Sequence, residues 1–251
     1  MSAFWIRIDR DIVTVSGPDA RSFLHSQLSQ DIAGMSIGDA RAAFLLQPTG
    51  KIEALVRVVC LSDELFILDV DHGWGDTVMV RLQRFKIRVK VDMTVEARSC
   101  LAYRHCAGEQ IEQATPAWRS DGTALDVIEP SAQPVPGIRQ GSPAEFDESR
   151  LRAGWPLMGQ DLMPDMIPGE TGIIECAVSF TKGCYPGQEL VERMDSRGST
   201  APRMLRVINA TPKASVGDDV IIDGAIVGTY TSVAGTIALA LIKRGTDITR
   251  L

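Results

Sequence analysis

The chain has 251 residues, 45% of them hydrophobic, and carries a formal net charge of −6 with a pI near 5.2. That acidic balance argues against direct nucleic-acid binding, which needs a basic surface to neutralise phosphates. The apolar runs, such as Leu65 to Leu68 and Ile237 to Ile242, stop short of the roughly 20 residues that cross a bilayer, so no membrane partner is expected. Met1 to Asp11 lacks the basic-then-apolar order of a secretory signal, and cytoplasmic residence follows as the default.

Residues 4–8 and 12–15 read as short strands. Ser16-Gly17-Pro18-Asp19 then opens a helix, because proline is tolerated in a first turn, and Ala20, Phe23, Leu24 and Leu28 form its apolar stripe. His25 falls off that stripe and has no second metal-type residue at helical spacing, which fits a boundary histidine. Residues 41–46 form a strand ended by the turn Gln47-Pro48-Thr49-Gly50. Ile52 to Cys60 and Leu65 to Val70 are further strands, and Trp74 to Phe85 reads as a helix with Val78, Met79, Leu82 and Phe85 on one face.

Lys86 to Met93 alternates charged and apolar residues and predicts a half-exposed strand. Its cations are either a solvated face or, with Arg81 and Arg84, a basic stripe for a ligand's carboxylates. From His105 to Gly141 the pattern breaks into loop, with Ala124 to Ile128 a possible strand. Ser142-Pro143-Ala144-Glu145 has the form of a capping box, and Gly154 can end the helix it opens. Trp155 to Gly172 is a long loop stiffened by Pro156, Pro164 and Pro168, a length that inside a compact domain is often functional. Strands at 203–209, 220–222, 225–230 and 237–242, with Asp223-Gly224 as a hairpin turn, predict a small all-β unit closing as a barrel.

Five cysteines without C-x-x-C spacing suit reduced thiols. Cys60, Cys100 and Cys176 sit in apolar patterns and read as packed. Cys184 lies between Lys182 and a helix expected from Pro186-Gly187-Gln188-Glu189, two features that favour a thiolate. A small buried residue in a turn fits the same residues, and both readings stay open. Walker and dinucleotide motifs and a Ser/His/Asp pattern are missing from the sequence.

The stretch K-G-C-Y-P-G-Q-E at Lys182 to Glu189 resembles the signature of the YgfZ family of folate-binding proteins, iron–sulfur assembly or repair factors related to the glycine-cleavage T-protein. Val15 to Ile32, Pro48 to Ile52, Arg84 to Val91 and Asp223 to Ser232 fit the same family. The resemblance implies an α+β, T-protein-like ring: a first unit from 1–46 and 132–198, a second ferredoxin-like unit over 47–131, and a C-terminal β-barrel over 199–251. It implies tetrahydrofolate as cofactor, with iron–sulfur proteins or assembly factors as partners, among them a tRNA-modifying enzyme. Functional groups are expected at Cys184 and Lys182, and folate contacts at Gln27, Asp31, Arg88, Glu170, Tyr185 and Gln188. Two departures bear on the alternative, a T-protein-type aminomethyltransferase or demethylase. Ala54 and Leu55 stand where the T-protein has an acidic pair, and Arg152 stands where its R-L-E-A-G glutamate contacts the pterin. Arginine cannot accept the hydrogen bonds that such a carboxylate accepts.

Overall fold

The computed structural model describes residues 2–106, 111–118, 123–196 and 201–248. It is a mixed α/β fold dominated by one large sheet. Strand β1 (Phe4–Ser16) runs unbroken through the two short strands expected there, and it pairs antiparallel along its full length with β5 (Asp92–Arg104). On its other side lies β4 (Leu65–Asp71), followed by β3 (Ile52–Ser62) and β2 (Ala40–Leu46). Two short strands, β6 (Thr115–Pro116) and β7 (Ala124–Val127), extend the sheet beyond β5, and β8 (Arg139–Gln140) pairs with β1. The sheet thus draws strands from both expected α+β units.

Alternation along each strand sends successive side chains to opposite faces. In β3, Ala54, Val56, Val58 and Cys60 pack on one face beneath helices α1 (Ala20–Gln27) and α2 (Gly75–Gln83), together with Phe23, Leu24, Val78 and Leu82. Leu55 points the other way. There Phe44 and Leu46 of β2 meet Trp155, Met158, Leu162 and Ile173 from the long loop after α3 (Pro143–Arg152). The capping box is present as expected, with Ser142 Oγ accepting from Glu145 N at 3.3 Å and Glu145 Oε2 accepting from Ser142 N at 2.9 Å.

The expected strand over 86–93 is a loop up to Val91, and β5 begins only at Asp92. The alternation there has another cause. Val91 is buried and Val89 and Met93 pack against the helical face of the sheet, while the Lys90 N–H donates to Asp19 Oδ2 at 2.7 Å instead of to a neighbouring strand.

After the short helix α4 (Ile174–Ala177), helix α5 (Gln188–Ser196) leads to a second sheet of β9 (Arg203–Asn209), β10 (Asp219–Ile222), β11 (Ala225–Ala234) and β12 (Ile237–Lys243). Its order is β10-β11-β12-β9, and among the described residues β9 and β10 do not pair, so barrel closure is not seen. The expected β10–β11 hairpin turn is formed, with positive φ at Asp223 (51°) and Gly224 (79°). No helix among the described residues is long and apolar enough to cross a membrane.

The turn after β2 packs against the turn before α5, and glycine is required there. Gly187 has φ +82°, and a Cβ on it would stand 2.6 Å from Gln47 O and 2.8 Å from Gly50 Cα. Gly183, four residues earlier, faces open space. Gly187→Ala should therefore lower unfolding stability by more than about 1 kcal/mol, whereas Gly183→Ala should stay within about 0.5 kcal/mol. Urea denaturation of both variants checks this, and equal losses would contradict it.

Candidate functional site

The Lys-Gly-Cys segment is laced to the end of α1. Ser29 accepts from Ser179 N at 2.9 Å and donates through its hydroxyl to Ala177 O at 2.6 Å, while Gln30 Nε2 reaches Cys176 O at 3.0 Å. These bonds carry Lys182 to the C-terminus of α1, where its Nζ donates to His25 O and, at 2.6 Å, to Leu28 O. A cation there satisfies carbonyls that the helix leaves without partners and complements its dipole. Burial brings the Lys182 amine down to about 8, with Asp31 and Cys184 acting in the opposite direction. The same ammonium lies 4.8 Å from the Tyr185 ring centre. Tyr185 is buried, and burial together with Glu192 pushes its phenol up to about 12.

Cys184 is exposed and free, unlike Cys60, Cys100 and Cys106, which are buried, and Cys176, which is half-buried. The reading of Cys184 as packing filler therefore does not hold. Gln188 Oε1 accepts from Tyr185 N at 3.3 Å, which fixes the turn entering α5. Gln27 is buried on α1; its amide nitrogen donates to Ser26 Oγ at 3.0 Å and its Oε1 has no protein partner. Asp31 accepts from Gly34 N at 3.1 Å and lies 3.6 Å from Arg41 Nη1. His25 Nδ1 accepts from the N–H groups of Ile32 and Ala33 at 3.2 and 3.1 Å, as befits a boundary histidine organising a turn. Gln27, Asp31, Lys182, Cys184, Tyr185 and Gln188 thus share one neighbourhood around the end of α1.

Arg88 and Glu170 are placed differently. Arg88 is exposed on the loop between α2 and β5 with φ 58°. Glu170 is buried in a 3-10 turn at Pro168–Glu170, accepting from Ile167 N at 3.2 Å and from Arg203 Nε at 2.8 Å. Of the expected basic stripe, Arg81 turns inward, donating to Leu46 O at 2.9 Å and pairing with Glu53 at 3.1 Å.

A second feature lies on the sheet face away from α1 and α2. A cavity of about 280 Å³ is lined by Arg10, Arg57, Arg104 and the rings of Trp118, Phe146 and Trp155. Its floor is a continuous ionic array. Asp71 and Asp69 pair with Arg10, the latter at 2.6 Å, and Asp69 also pairs with Arg57. Asp126 accepts from Arg57 and Arg104, both at 2.8 Å. Burial opposes the charges of Arg10 and Asp126, but Asp69 and Asp71 raise Arg10, and Arg104 and Arg57 hold Asp126 below the usual carboxylate range. Nearby, burial and then Asp69 and Asp126 push the Cys100 thiol up to about 12, which keeps it inert. Arg57 Nε and Arg104 Nε and Nη2 are buried without a protein partner.

None of the eight sequence-predicted residues lines this cavity. The missed signal was available: Arg57 within L-V-R-V-V and Asp69 within F-I-L-D-V are charges inside apolar strands, and buried polar groups are the informative exceptions.

No protein-family model matches the chain. It is 29% identical to the mouse "Iron-sulfur cluster assembly factor IBA57, mitochondrial" over 96% of this chain and 77% of that protein. It is 26% identical to the "tRNA-modifying protein YgfZ" of Klebsiella pneumoniae over 76% of this chain and 67% of that one. The chain is thus similar along most of its length to proteins named IBA57 and YgfZ. Among solved structures, the glycine cleavage system aminomethyltransferase T of Bartonella henselae superposes with a TM-score of 0.77 at 19% identity, covering 96% of this chain and 78% of that one. The T-protein fold is thereby shared. Ala54 is fully buried and Leu55 nearly so, both apolar.

Two outcomes are expected. Asp126→Asn leaves Arg57 and Arg104 without their shared counter-charge, a type of change that costs about 3–5 kcal/mol; a denaturation loss under about 1 kcal/mol would contradict the pairing. The Lys182 amine should titrate near 8 against an ordinary 10.5. Between those values the unfolded chain binds the extra proton, so stability rises with pH across the window. Competitive acylation followed by peptide mass mapping gives the midpoint directly, and a midpoint near 10.5 would refute it.

Proposed function

We propose that this protein is a folate-binding accessory factor of iron–sulfur cluster assembly or repair, supporting iron–sulfur enzymes that include tRNA-modifying ones. The observation that carries the reading is homology along most of the chain to proteins named for iron–sulfur assembly and for tRNA modification, joined to a cavity suited to a polar heteroaromatic ring. We further propose the ring of two α+β units and a C-terminal barrel as its organisation.

The cavity's residues fit tetrahydrofolate at its pterin end. Arg104 lies 3.9 Å from the Trp118 ring centre and 4.9 Å from that of Phe146, so a flat cation and aromatic faces already form one wall. Arg57 Nε is a buried donor awaiting an acceptor, and pterin carries ring nitrogens and an oxo group that accept. A volume of about 280 Å³ lies just below the roughly 300–1,000 Å³ of small-molecule pockets, room for a bicyclic ring and not for a whole folate. Bound tetrahydrofolate would supply a carrier for one-carbon units. The chain's own contribution there is to orient the ring and keep water out.

Cys184 is the proposed functional thiol and Lys182 the group that holds its loop. An exposed thiol is open to a partner, and one cysteine does not hold a cluster, which usually takes four protein ligands. Cluster handling at this position therefore requires thiols from a partner protein or a small molecule.

Calorimetry should detect tetrahydrofolate binding to the wild type, weakened about tenfold in Phe146→Ala, which removes a ring from the cavity wall. In cells lacking the protein, wild type should restore activity of an iron–sulfur tRNA-modifying enzyme and Cys184→Ala should not. Absence of folate binding would sink the ligand assignment. Full rescue by Cys184→Ala would sink the role of the thiol.

A further inference from the structure

With Arg81 turned inward, four cations of the expected basic stripe remain exposed: Arg84, Lys86, Arg88 and Lys90, at alternate positions between α2 and β5. Arginines elsewhere on the large sheet, such as Arg10, Arg57, Arg98 and Arg104, are paired with carboxylates. Among the described residues Arg84, Arg88 and Lys90 form no ion pair, and Lys86 reaches only the exposed Asp92, at 3.8 Å. Asp19 is the second carboxylate in contact with the loop, and it accepts from the Lys90 N–H at 2.7 Å. The loop is therefore a cationic spot on a chain whose overall charge is −6.

Apolar side chains stand between these cations. Ile87 is 70% exposed, Phe85 37%, and Val80, four residues before Arg84, 50%. Single exposed apolar residues need no explanation, but a group of them set among cations does. The loop is firmly seated at its base. Asp19 N–H donates to Lys90 O at 3.4 Å, and Gly17 lies so close that a Cβ on it would stand 2.4 Å from the same oxygen. At the tip Arg88 turns the chain with φ 58°. The N–H groups of Lys86 and Ile87 donate to Gln83 O at 3.2 Å and Phe85 O at 2.9 Å, so both are satisfied inside the loop. One side of the Phe85 ring faces the Arg81 guanidinium, 4.1 Å from its centre.

We propose that this loop is a peripheral docking surface for an anionic lipid bilayer, with Ile87 and Phe85 entering the headgroup layer and Arg84, Lys86, Arg88 and Lys90 resting on its anionic groups. The complementarity is double. Each cation gains from the negative potential of the leaflet, and its alkyl stem lets the charge stay among headgroups while the apolar neighbours go deeper. Nucleic acid offers phosphates but no apolar depth for Ile87, and a protein would have to bring a recess shaped to it. A bilayer interface supplies both. The carboxylates elsewhere on the chain are screened beyond about 8–10 Å at physiological salt. Short apolar runs bear on crossing a bilayer and not on resting against one. The surface goes beyond the folate reading and does not depend on it.

Sedimentation of the full chain with lipid vesicles tests this. The wild type should pellet with vesicles of phosphatidylserine and phosphatidylcholine in equal parts, stay in the supernatant with phosphatidylcholine alone, and be released as salt is raised. Arg84→Gln and Ile87→Ser should each weaken vesicle binding about fivefold, the first by removing one cation and the second by removing apolar contact. Both side chains are exposed, so the thermal unfolding of both variants should match the wild type. Failure to pellet with the phosphatidylserine vesicles overturns the surface. Equal pelleting with phosphatidylcholine alone overturns the part given to charge, and unchanged binding of Ile87→Ser overturns insertion of the tip. Retention of single-stranded RNA or polyglutamate without retention of vesicles overturns the lipid assignment. Tetrahydrofolate binding is read separately by calorimetry, so failure of the docking surface and failure of the folate reading are told apart.

Discussion

The molecule depends on an ionic chain that crosses five neighbouring strands. Arg57 of β3, Asp69 and Asp71 of β4, Arg10 of β1, Arg104 of β5 and Asp126 of β7 are linked by ion pairs across the sheet. Each charge loses several kcal/mol of hydration on burial, which the mutual ion pairs offset. Such an array contributes less to net stability than an apolar floor of the same size would, but it fixes register. Arg57 stands opposite Asp69 in the β3–β4 ladder and Arg10 opposite Asp71 in the β1–β4 ladder. A slip of one residue would bury every one of these ions unpaired and turn their apolar neighbours to the wrong face.

The covering of that floor is equally specific. Asp161 is almost wholly buried in the long loop after α3 and accepts from Arg150 at 2.8 Å, Leu157 N at 3.0 Å, Thr231 Oγ1 at 2.6 Å and Ser232 Oγ at 2.7 Å. One carboxylate therefore joins α3, the loop and β11. The loop in turn donates from Met158 N to Asp71 Oδ2 at 2.8 Å, so the clasp on the second sheet and the ionic floor of the first belong to one hydrogen-bonded system. Cavity shape is set by this lock, and the proline-rich length of the loop is what lets it follow an irregular path between fixed points.

Local chemistry was legible in the sequence wherever neighbours in the chain decide the structure. The Ser142 capping box, the Asp223-Gly224 hairpin and the apolar stripe of α1 are of this kind. Lys86 to Met93 misled because alternation reports which side chains are buried, and Val89 and Val91 are held inward by a loop tied to Asp19. The cavity was illegible for a different reason. Its charged residues come from strands between position 10 and position 126 and its cover from α3 and the loop after it, and which of the charges meet is decided by strand order, with β1 lying between β4 and β5. Arg57 and Asp69 were visible as charges in apolar runs, yet nothing in the chain order says that they face each other.

The Lys-Gly-Cys turn is best understood through what Lys182 is already doing. Its amine is engaged by two carbonyls at the end of α1, and it reaches them because Ser29 and Gln30 hold the preceding segment in place. A lysine so engaged is a tether. It fixes the backbone from which Cys184 projects into solvent, while Gly187 lets the following turn press against Gln47 and Gly50. Rigid on both flanks and exposed at the centre, the turn presents a thiol at a defined place outside the cavity. None of the residues lining the Arg104 cavity belongs to this turn, so the turn and the cavity are separate surfaces of the fold.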